Sequence, residues 1–305
     1  MKVGVMGAGA VGSYFGAKLA RAGAEVVLVG RGAHITQVAA QGLRVTSCDG
    51  DFSVAPAAQT DPAGVGVCDL VLFCVKSPDT VAAAGQLAPM VSPETLLLSL
   101  QNGVENDQVL EQVFPGQVLP ALCYVGARID EPGTVVHSAA GRVILGEWDG
   151  MESDRVRRVA RTLEEAGVPA KVSPQIRVEL WKKLLWNLAF NTVSALTRAT
   201  VAEMLGHPGA RRVLALAMEE AAAVARAAGV PLEADLPGRV IEGSAAFGDL
   251  KTSMFQDVEK ARPLEADALN GAVVRLGREL EIPTPVNEAL LGCAQLLSQI
   301  NTAED

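Results

Sequence analysis

The segment Gly7-Ala8-Gly9-Ala10-Val11-Gly12 constrains the fold more than any other stretch of this chain. It follows the apolar run Lys2–Met6 and opens a helical stretch that reaches Ala22. After Gly23 comes the β-branched run Glu25–Val29, ending at Gly30-Arg31. Strand, glycine turn, helix and strand within about 30 residues make a βαβ unit. Three glycines are a weak signal alone, but this context strengthens them. The first permits a tight turn, the second lets a pyrophosphate reach the backbone, and the third lets helix pack on strand. Free N–H groups at the helix start hold an anion. The competing reading is a tight turn with no ligand.

Further buried strands are expected at Asp69–Val75 and Thr95–Leu100, each followed by turn residues and a helix-like stretch. Continuous apolar strands fit a parallel sheet covered on both faces. From Val118 to Gly146, short runs between Asp-Glu-Pro-Gly and Ala-Ala-Gly turns suggest a meander added to the sheet edge. Ser153–Ala166 is patterned as an amphipathic helix and Pro169–Val172 as a last strand. Beyond Ser173-Pro174 the signals are helical: Gln175–Leu196, Pro208–Ala228, Pro231–Phe247, Leu264–Leu280 and Val286–Ile300. The expectation is an α/β Rossmann-type domain over residues 1–173 and an all-α domain over 174–305, with a fraying tail at Asn301–Asp305.

Lys and Arg number 26 against 35 Asp and Glu, a net charge of −9. That balance argues against nucleic acid or an anionic membrane as the main partner. The five cysteines (Cys48, Cys68, Cys74, Cys123, Cys293) contain no CxxC pair and sit among apolar neighbours, so they read as reduced core thiols of a cytoplasmic protein. No Cys/His spacing suggests zinc, so no metal is expected. The opening leaves no room for a signal peptide, and no uncharged apolar run reaches the ~18 residues of a membrane span. A helical domain rich in Ala, Leu and Val fits a homodimer and fits a monomer nearly as well.

The end of the second strand sorts the cofactor. NAD binders carry an acid there for the ribose hydroxyls, whereas this chain has Gly30-Arg31. A guanidinium suits a 2′-phosphate, which points to NADP(H); the other reading of Arg31 is a surface arginine. Lys76, just past a buried strand, adds charge near the cofactor or is a solvated loop lysine.

The segment Val178–Leu196 is strongly apolar, yet Lys183, Asn187 and Asn191 recur at i, i+4 and i+8. At about 100° per residue they drift only about 40° per step, and Ser194 returns to the same face. Asparagine is a poor helix former, and buried amides cost free energy without partners. This face binds a substrate beside a lysine acid, or it is a polar seam against another domain. A ketone reductase needs a proton donor for the nascent alkoxide, and donors for a substrate carboxylate.

These residues resemble one family. The glycine turn, Gly30-Arg31, Val75-Lys76, Gln101-Asn102-Gly103, Trp181-Lys182-Lys183-Leu184-x-x-Asn187-x-x-x-Asn191, Ser253-Met254-Phe255-Gln256-Asp257-Val258 and Pro263-x-Glu265 occur in that order. Together they look like the ketopantoate reductase (2-dehydropantoate 2-reductase) family along essentially the whole chain. The resemblance implies NADPH-dependent reduction of 2-dehydropantoate to (R)-pantoate, a step toward pantothenate and coenzyme A. It implies Gly7, Ala8, Gly9, Ala10, Val11, Gly12, Arg31, Lys76, Asn102 and Gly126 around the cofactor. It makes Lys183 the general acid, and places Glu265 against the substrate or reacting centre from the far side. Asn102 falls where nicotinamide and substrate meet, and Asn187, Asn191 and Ser253 hold the polar groups of a small 2-oxo acid, in a cleft between the domains.

Two late residues have plainer readings: Ser253-x-x-Gln256 fits a capping box, and Glu265 falls in a helix's first turn. His34, His137 and His207 have no partners in sequence, and a catalytic histidine is not expected. The chain departs from the family pattern twice. Val201-Ala202 stand where an Asn-Gly is common, and Leu250-Lys251-Thr252 precede the Ser-Met segment where an asparagine is common. These departures leave open a reductase of another 2-oxo acid or ketone. A non-catalytic NADPH-binding sensor is a third reading, and a β-hydroxyacid dehydrogenase a fourth.

Overall fold

The computed structural model describes residues 1–303. The chain divides into two compact units, residues 1–102 with 106–176 and residues 103–105 with 177–305.

The first unit begins β1 (Lys2–Met6), α1 (Ala10–Arg21), β2 (Glu25–Val29), α2 (Gly32–Gln41), β3 (Leu43–Ser47), β4 (Phe52–Val54) and β5 (Ala57–Gln59). It continues with β6 (Leu70–Phe73), α3 (Thr80–Gly85), β7 (Leu96–Ser99), α4 (Asn106–Val113) and β8 (Val118–Leu119). It ends with β9 (Ala121–Glu131), β10 (Thr134–Leu145), α5 (Asp154–Glu165) and β11 (Ala170–Val172). Six of these strands form one parallel sheet in the order β5-β2-β1-β6-β7-β8. β1, β6 and β7 are buried along nearly all their length, as strands covered on both faces must be.

Residues 118–146 do not form a meander on this sheet. Only β8 joins it; β9 and β10 make a long antiparallel hairpin in a second sheet of order β11-β10-β3-β4. The pairing that builds this sheet is the parallel match of β10 with β3, Thr134 beside Arg44 through His137 beside Ser47. Helix α1 packs on strands of both sheets, which is why Tyr14, Phe15 and Leu19 are all buried.

The second unit is helical: α6 (Ile176–Trp186), a π-helical turn (Asn187–Asn191), α7 (Thr192–Thr197), α8 (Val201–Gly206) and α9 (Pro208–Ala227). Then come α10 (Leu236–Gly243), α11 (Ser253–Glu259), α12 (Ala266–Glu279) and α13 (Pro285–Ala303). The expected single helix over Gln175–Leu196 is thus two helices with a wide turn between them. The expected fraying from Asn301 is not seen, since α13 runs through Ala303; residues 304 and 305 lie outside the described part. No described helix is long and apolar enough to cross a membrane. Cys68 and Cys123 are buried, but Cys48 and Cys293 are exposed, so the cysteines are not uniformly core residues.

Candidate active site

The three glycines of the first turn have three different reasons to lack a side chain. Gly7 takes φ +96°, and a Cβ there would fall 2.5 Å from the Val75 backbone nitrogen. At Gly12 a Cβ would meet the Gly7 carbonyl at 2.4 Å, so helix and turn could not close. Gly9 differs: φ −76° and ψ −163° suit any residue, and a Cβ would meet nothing within 4 Å. Neither conformation nor packing calls for glycine at position 9, which leaves that space for a ligand.

Gly9 is also the N-cap of α1 and offers no side chain to its first turn, which contains no acid. The N–H groups of Ala10, Val11 and Gly12 therefore present the helix's positive end. The residues fit a dinucleotide pyrophosphate in that space.

A buried relay holds the turn from behind. The Gly133 N–H donates to His34 Nδ1 at 3.1 Å, so Nε2 carries the ring proton and donates to Ser13 Oγ at 3.0 Å. Ser13 Oγ then donates to the Ala8 carbonyl at 3.2 Å. Burial pushes the His34 pKa below its ordinary value, which keeps the ring neutral and able to accept. The other histidines also have structural partners. His137 is packed under Tyr14, and His207 Nδ1 caps α9 by accepting from Ala210 N–H.

The turns after β6 and β7 lie at the same end of the sheet as the glycine turn. Lys76, half-buried, precedes a short 3₁₀ turn at Ser77–Asp79. The Asn102 carbonyl accepts from Asn106 Nδ2 at 2.6 Å and from Ser77 Oγ at 3.3 Å. Gln101 Nε2 donates to the Val75 carbonyl and to Thr80 Oγ1. Parallel sheets bind ligands at this edge, where connections leave in opposite directions; here β1 stands between β2 and β6. Nearby, Asp107 in α4 is buried, and burial pushes its pKa up to about 7 against the hydrogen bond from Ser99.

Arg31 is the N-cap of α2, and its side chain is 83% exposed. Its guanidinium donates to Asp79 Oδ2 at 2.8 Å. An acid absent from the end of β2 is therefore supplied by the turn after β6. Gly126 lies in β9, where a Cβ would press on Ser138 Oγ at 2.7 Å; the hairpin itself accounts for glycine there.

In the helical unit Lys183 lies half-buried in the last turn of α6, while Asn187 and Asn191 bound the π turn and are buried. A π turn closes its hydrogen bonds five residues on instead of four, so the drift of an α-helix does not carry across it. Ser194 leaves the stripe, because its hydroxyl donates to the Ala199 carbonyl at 2.6 Å. Asn191 Oδ1 is buried with no hydrogen-bond partner among the described residues. Such an atom costs about 1–3 kcal/mol unless a donor reaches it.

Sequence spacing gave no hint of what supports this turn. Asn270, fully buried, donates from Nδ2 to the Leu188 carbonyl at 3.1 Å and to Asn287 Oδ1 at 3.0 Å, and accepts from Thr192 Oγ1 at 2.6 Å. Asn287 Nδ2 donates to the Ala217 carbonyl and to Glu220, whose carboxylate also accepts the Val286 and Asn287 N–H groups at the start of α13. The only available signal was two asparagines inside apolar helical stretches.

Helices α11 and α12 both pack against the π turn, carrying Ser253 and Glu265. Thr252, not Ser253, caps α11 by accepting from Phe255 N–H, so the capping-box reading of Ser253 is wrong; Ser253 is an exposed first-turn residue. Glu265 is half-buried and is the N-cap of α12, one position before its first turn. Val201 and Leu250, at the two departures from the family pattern, are neighbours: Val201 N–H donates to the Leu250 carbonyl at 3.1 Å.

Comparison with known proteins gives one consistent answer. Residues 3–150 match the family model described as ketopantoate reductase PanE/ApbA, and residues 175–298 match its C-terminal counterpart. The chain is 36% identical over 323 residues to 2-dehydropantoate 2-reductase of Mesorhizobium japonicum, covering 98% of both chains. It is 34% identical to the enzyme of the same name from Halobacterium salinarum, covering 97% of this chain and 98% of that one. The crystal structure of a PanE/ApbA family ketopantoate reductase from Ralstonia eutropha superposes with a TM-score of 0.92 at 39% identity, covering 99% of each chain. A Rossmann-like parallel sheet followed by a helical unit, matched end to end by these relatives, places the chain in the ketopantoate reductase family, oxidoreductases that act on CH–OH groups.

Proposed function

We propose that this chain reduces 2-dehydropantoate to (R)-pantoate with NADPH, on the route to pantothenate and coenzyme A. In this reading residues 1–173 hold the cofactor and 174–305 hold the substrate and the acid. The observation that carries the substrate site is the partnerless Asn191 Oδ1 on the same turn as Asn187, one helical stretch after Lys183. An oriented amide acceptor suits a substrate hydroxyl, and 2-dehydropantoate carries one.

A nicotinamide dinucleotide bound over Gly9 supplies the hydride. The chain's own residues do the rest. The first-turn N–H groups of α1 hold the pyrophosphate, and Arg31 pairs with the 2′-phosphate after giving up Asp79. Lys76 adds positive charge beside it, and Asn102 orients the nicotinamide side of the substrate. Gly126 lets the backbone of β9 approach the cofactor. The Lys183 ammonium donates a proton to the ketone oxygen as charge develops there. Asn187, Asn191 and Ser253 fix the substrate's polar groups, and Glu265 contacts it from another helix.

A second reading, reduction of a different 2-oxo acid, is favoured by the adjacent apolar pair Val201 and Leu250. NADPH consumption by purified protein, with 2-dehydropantoate beside a panel of 2-oxo acids and NADH as control, separates the two. Selective turnover of 2-dehydropantoate is expected. A better panel substrate establishes the second reading, and cofactor binding without turnover on any ketone overturns both.

A further inference from the structure

We propose that Cys48, Asp49 and His137, side chains that the proposed hydride transfer does not use, form a binding site for a divalent metal ion of the zinc class in the first unit. Among the described residues these three side chains bring ligand atoms within 4.8 Å of one another. Cys48 and His137 stand 89 positions apart, and the pairing of β3 with β10 brings them together, so no spacing rule could reveal them.

The histidine is prepared as a ligand. Its Nε2 lies 3.1 Å from the Ala139 carbonyl and 3.2 Å from the Ala140 carbonyl. Carbonyls only accept, so Nε2 carries the hydrogen and Nδ1 keeps the lone pair of the neutral ring. A backbone carbonyl behind the far nitrogen is the usual arrangement for a metal-bound imidazole. The ring is 1% exposed and stacked on Tyr14 at 4.3 Å, so its orientation is set before any ion arrives.

Cys48 Sγ is 3.7 Å from His137 Nδ1, and the two Asp49 oxygens face different partners, Oδ2 at 3.9 Å from Nδ1 and Oδ1 at 3.8 Å from Sγ. Tetrahedral zinc, with bonds of about 2.3 Å to sulfur and about 2.1 Å to nitrogen and oxygen, separates its ligand atoms by roughly 3.4–3.6 Å. With one oxygen from Asp49 the three ligand atoms lie within 4.8 Å, so the exposed Cys48 and Asp49 side chains turn inward to close on an ion. One thiolate, one imidazole and one carboxylate suit zinc and not the all-oxygen sites of calcium or magnesium. Cys48 and Asp49 are exposed, so an ion has a way in and the fourth position faces solvent. Ser47 Oγ is the competitor: it lies 2.9 Å from Nδ1 and gives up that contact when the metal binds.

The test titrates metal-free full-length protein with Zn²⁺ alone, against a chromophoric chelator, and repeats it with Co²⁺ for its absorption spectrum. One ion per chain is expected, with a thiolate-to-cobalt charge-transfer band. Cys48→Ala should lose the band and more than about 100-fold in affinity, beyond the 10–100-fold cost of losing a supporting residue. Asp49→Ala should lose at least tenfold, and Ser47→Ala should bind more tightly. Cys293→Ala should match the parent. His137 is built into the core, so the test rests on the exposed pair, with NADPH binding as the check of folding. No stoichiometric binding, binding unchanged in Cys48→Ala, or a cobalt complex without the thiolate band overturns the site.

Discussion

At residues 7–12 the chain removes side chains from a helix start; at residues 187–191 it inserts amides into an apolar helix. Both places depart from regular geometry, and both are backed by polar side chains: the distant His34 acting through the neighbouring Ser13 behind the first, and Asn270, Asn287 and Glu220 from distant segments behind the second. They differ in what they offer. The glycine turn offers space and backbone N–H groups, which recognise a phosphate shared by many ligands. The π turn offers oriented side chains and one unmatched acceptor, the kind of group suited to one particular ligand. In this pairing, general chemistry is held by backbone and specific chemistry by side chains.

The sharpest way to break that division is Lys183→Ala. If the helical unit supplies the proton, kcat falls by ~10²–10⁴-fold while the Kd for NADPH stays at its parental value. Stopped-flow turnover and cofactor titration read the two separately. A variant that keeps its turnover removes Lys183 as the acid.

Asn270→Ala attacks the π turn from behind. It leaves Thr192 Oγ1, the Leu188 carbonyl and Asn287 Oδ1 without their partner. The expected cost is about 3–5 kcal/mol in urea denaturation, since each stranded polar atom costs ~1–3 kcal/mol and neighbours do not add fully. Asn270→Asp keeps the acceptor for Thr192 but sets a buried carboxylate oxygen against the Leu188 carbonyl and Asn287 Oδ1, and should cost at least as much near neutral pH. A loss below about 1 kcal/mol for the alanine variant would mean that the network is not holding the turn.

The glycine turn makes a prediction within itself. Gly7→Ala should cost about 3 kcal/mol or more, from the positive φ and the clash with Val75. Gly9→Ala should leave stability equal or slightly higher, yet weaken NADPH binding about tenfold, because its Cβ enters space that only a ligand uses. Equal losses of stability at both positions would make the whole motif a folding device.

These contrasts also explain what was legible beforehand. The glycine turn spans six residues and acts through local backbone geometry, so its strand, turn and helix could be read directly. The second sheet could not, because its key pairing joins Arg44 to Thr134 across a long stretch of chain. Lys183, Asn187 and Asn191 were visible as a polar stripe, but a 3.6-residue period assumes an unbroken α-helix and so missed the π turn. The cap of α11 was misplaced by one residue, because Thr252 and Ser253 are equally good caps and only backbone geometry separates them. The relay through His34 leaves no local mark, and that through Asn270 only an asparagine in an apolar helical stretch.

Asp107 tests whether the first unit carries a pH-dependent cost that the helical unit lacks. Between the ordinary value of 3.8 and about 7 the folded chain holds a proton that the unfolded chain releases. Stability therefore falls as pH rises through that window, at up to about 1.4 kcal/mol per pH unit. Asp107→Asn should be more stable than the parent by about 2–3 kcal/mol at pH 8, with the two converging near pH 4, in urea titrations at both values. A constant difference across pH would mean that Asp107 is charged in the fold.

The smallest effect concerns how the first unit chooses its phosphate. Arg31 is highly exposed and paired with Asp79, and exposed pairs contribute about 0–1 kcal/mol. A doubly charged 2′-phosphate should therefore displace Asp79 at little cost, while the carboxylate left behind repels it. Asp79→Asn removes the competitor and the repulsion together, and should lower the KM for NADPH two- to fivefold with no change for NADH. Arg31→Ala should do the reverse, raising KM for NADPH alone, and the double variant should resemble Arg31→Ala, because Asp79 acts only through that guanidinium. If both cofactors shift together in either variant, the pair is holding the turn after β6 in place, and discrimination lies elsewhere.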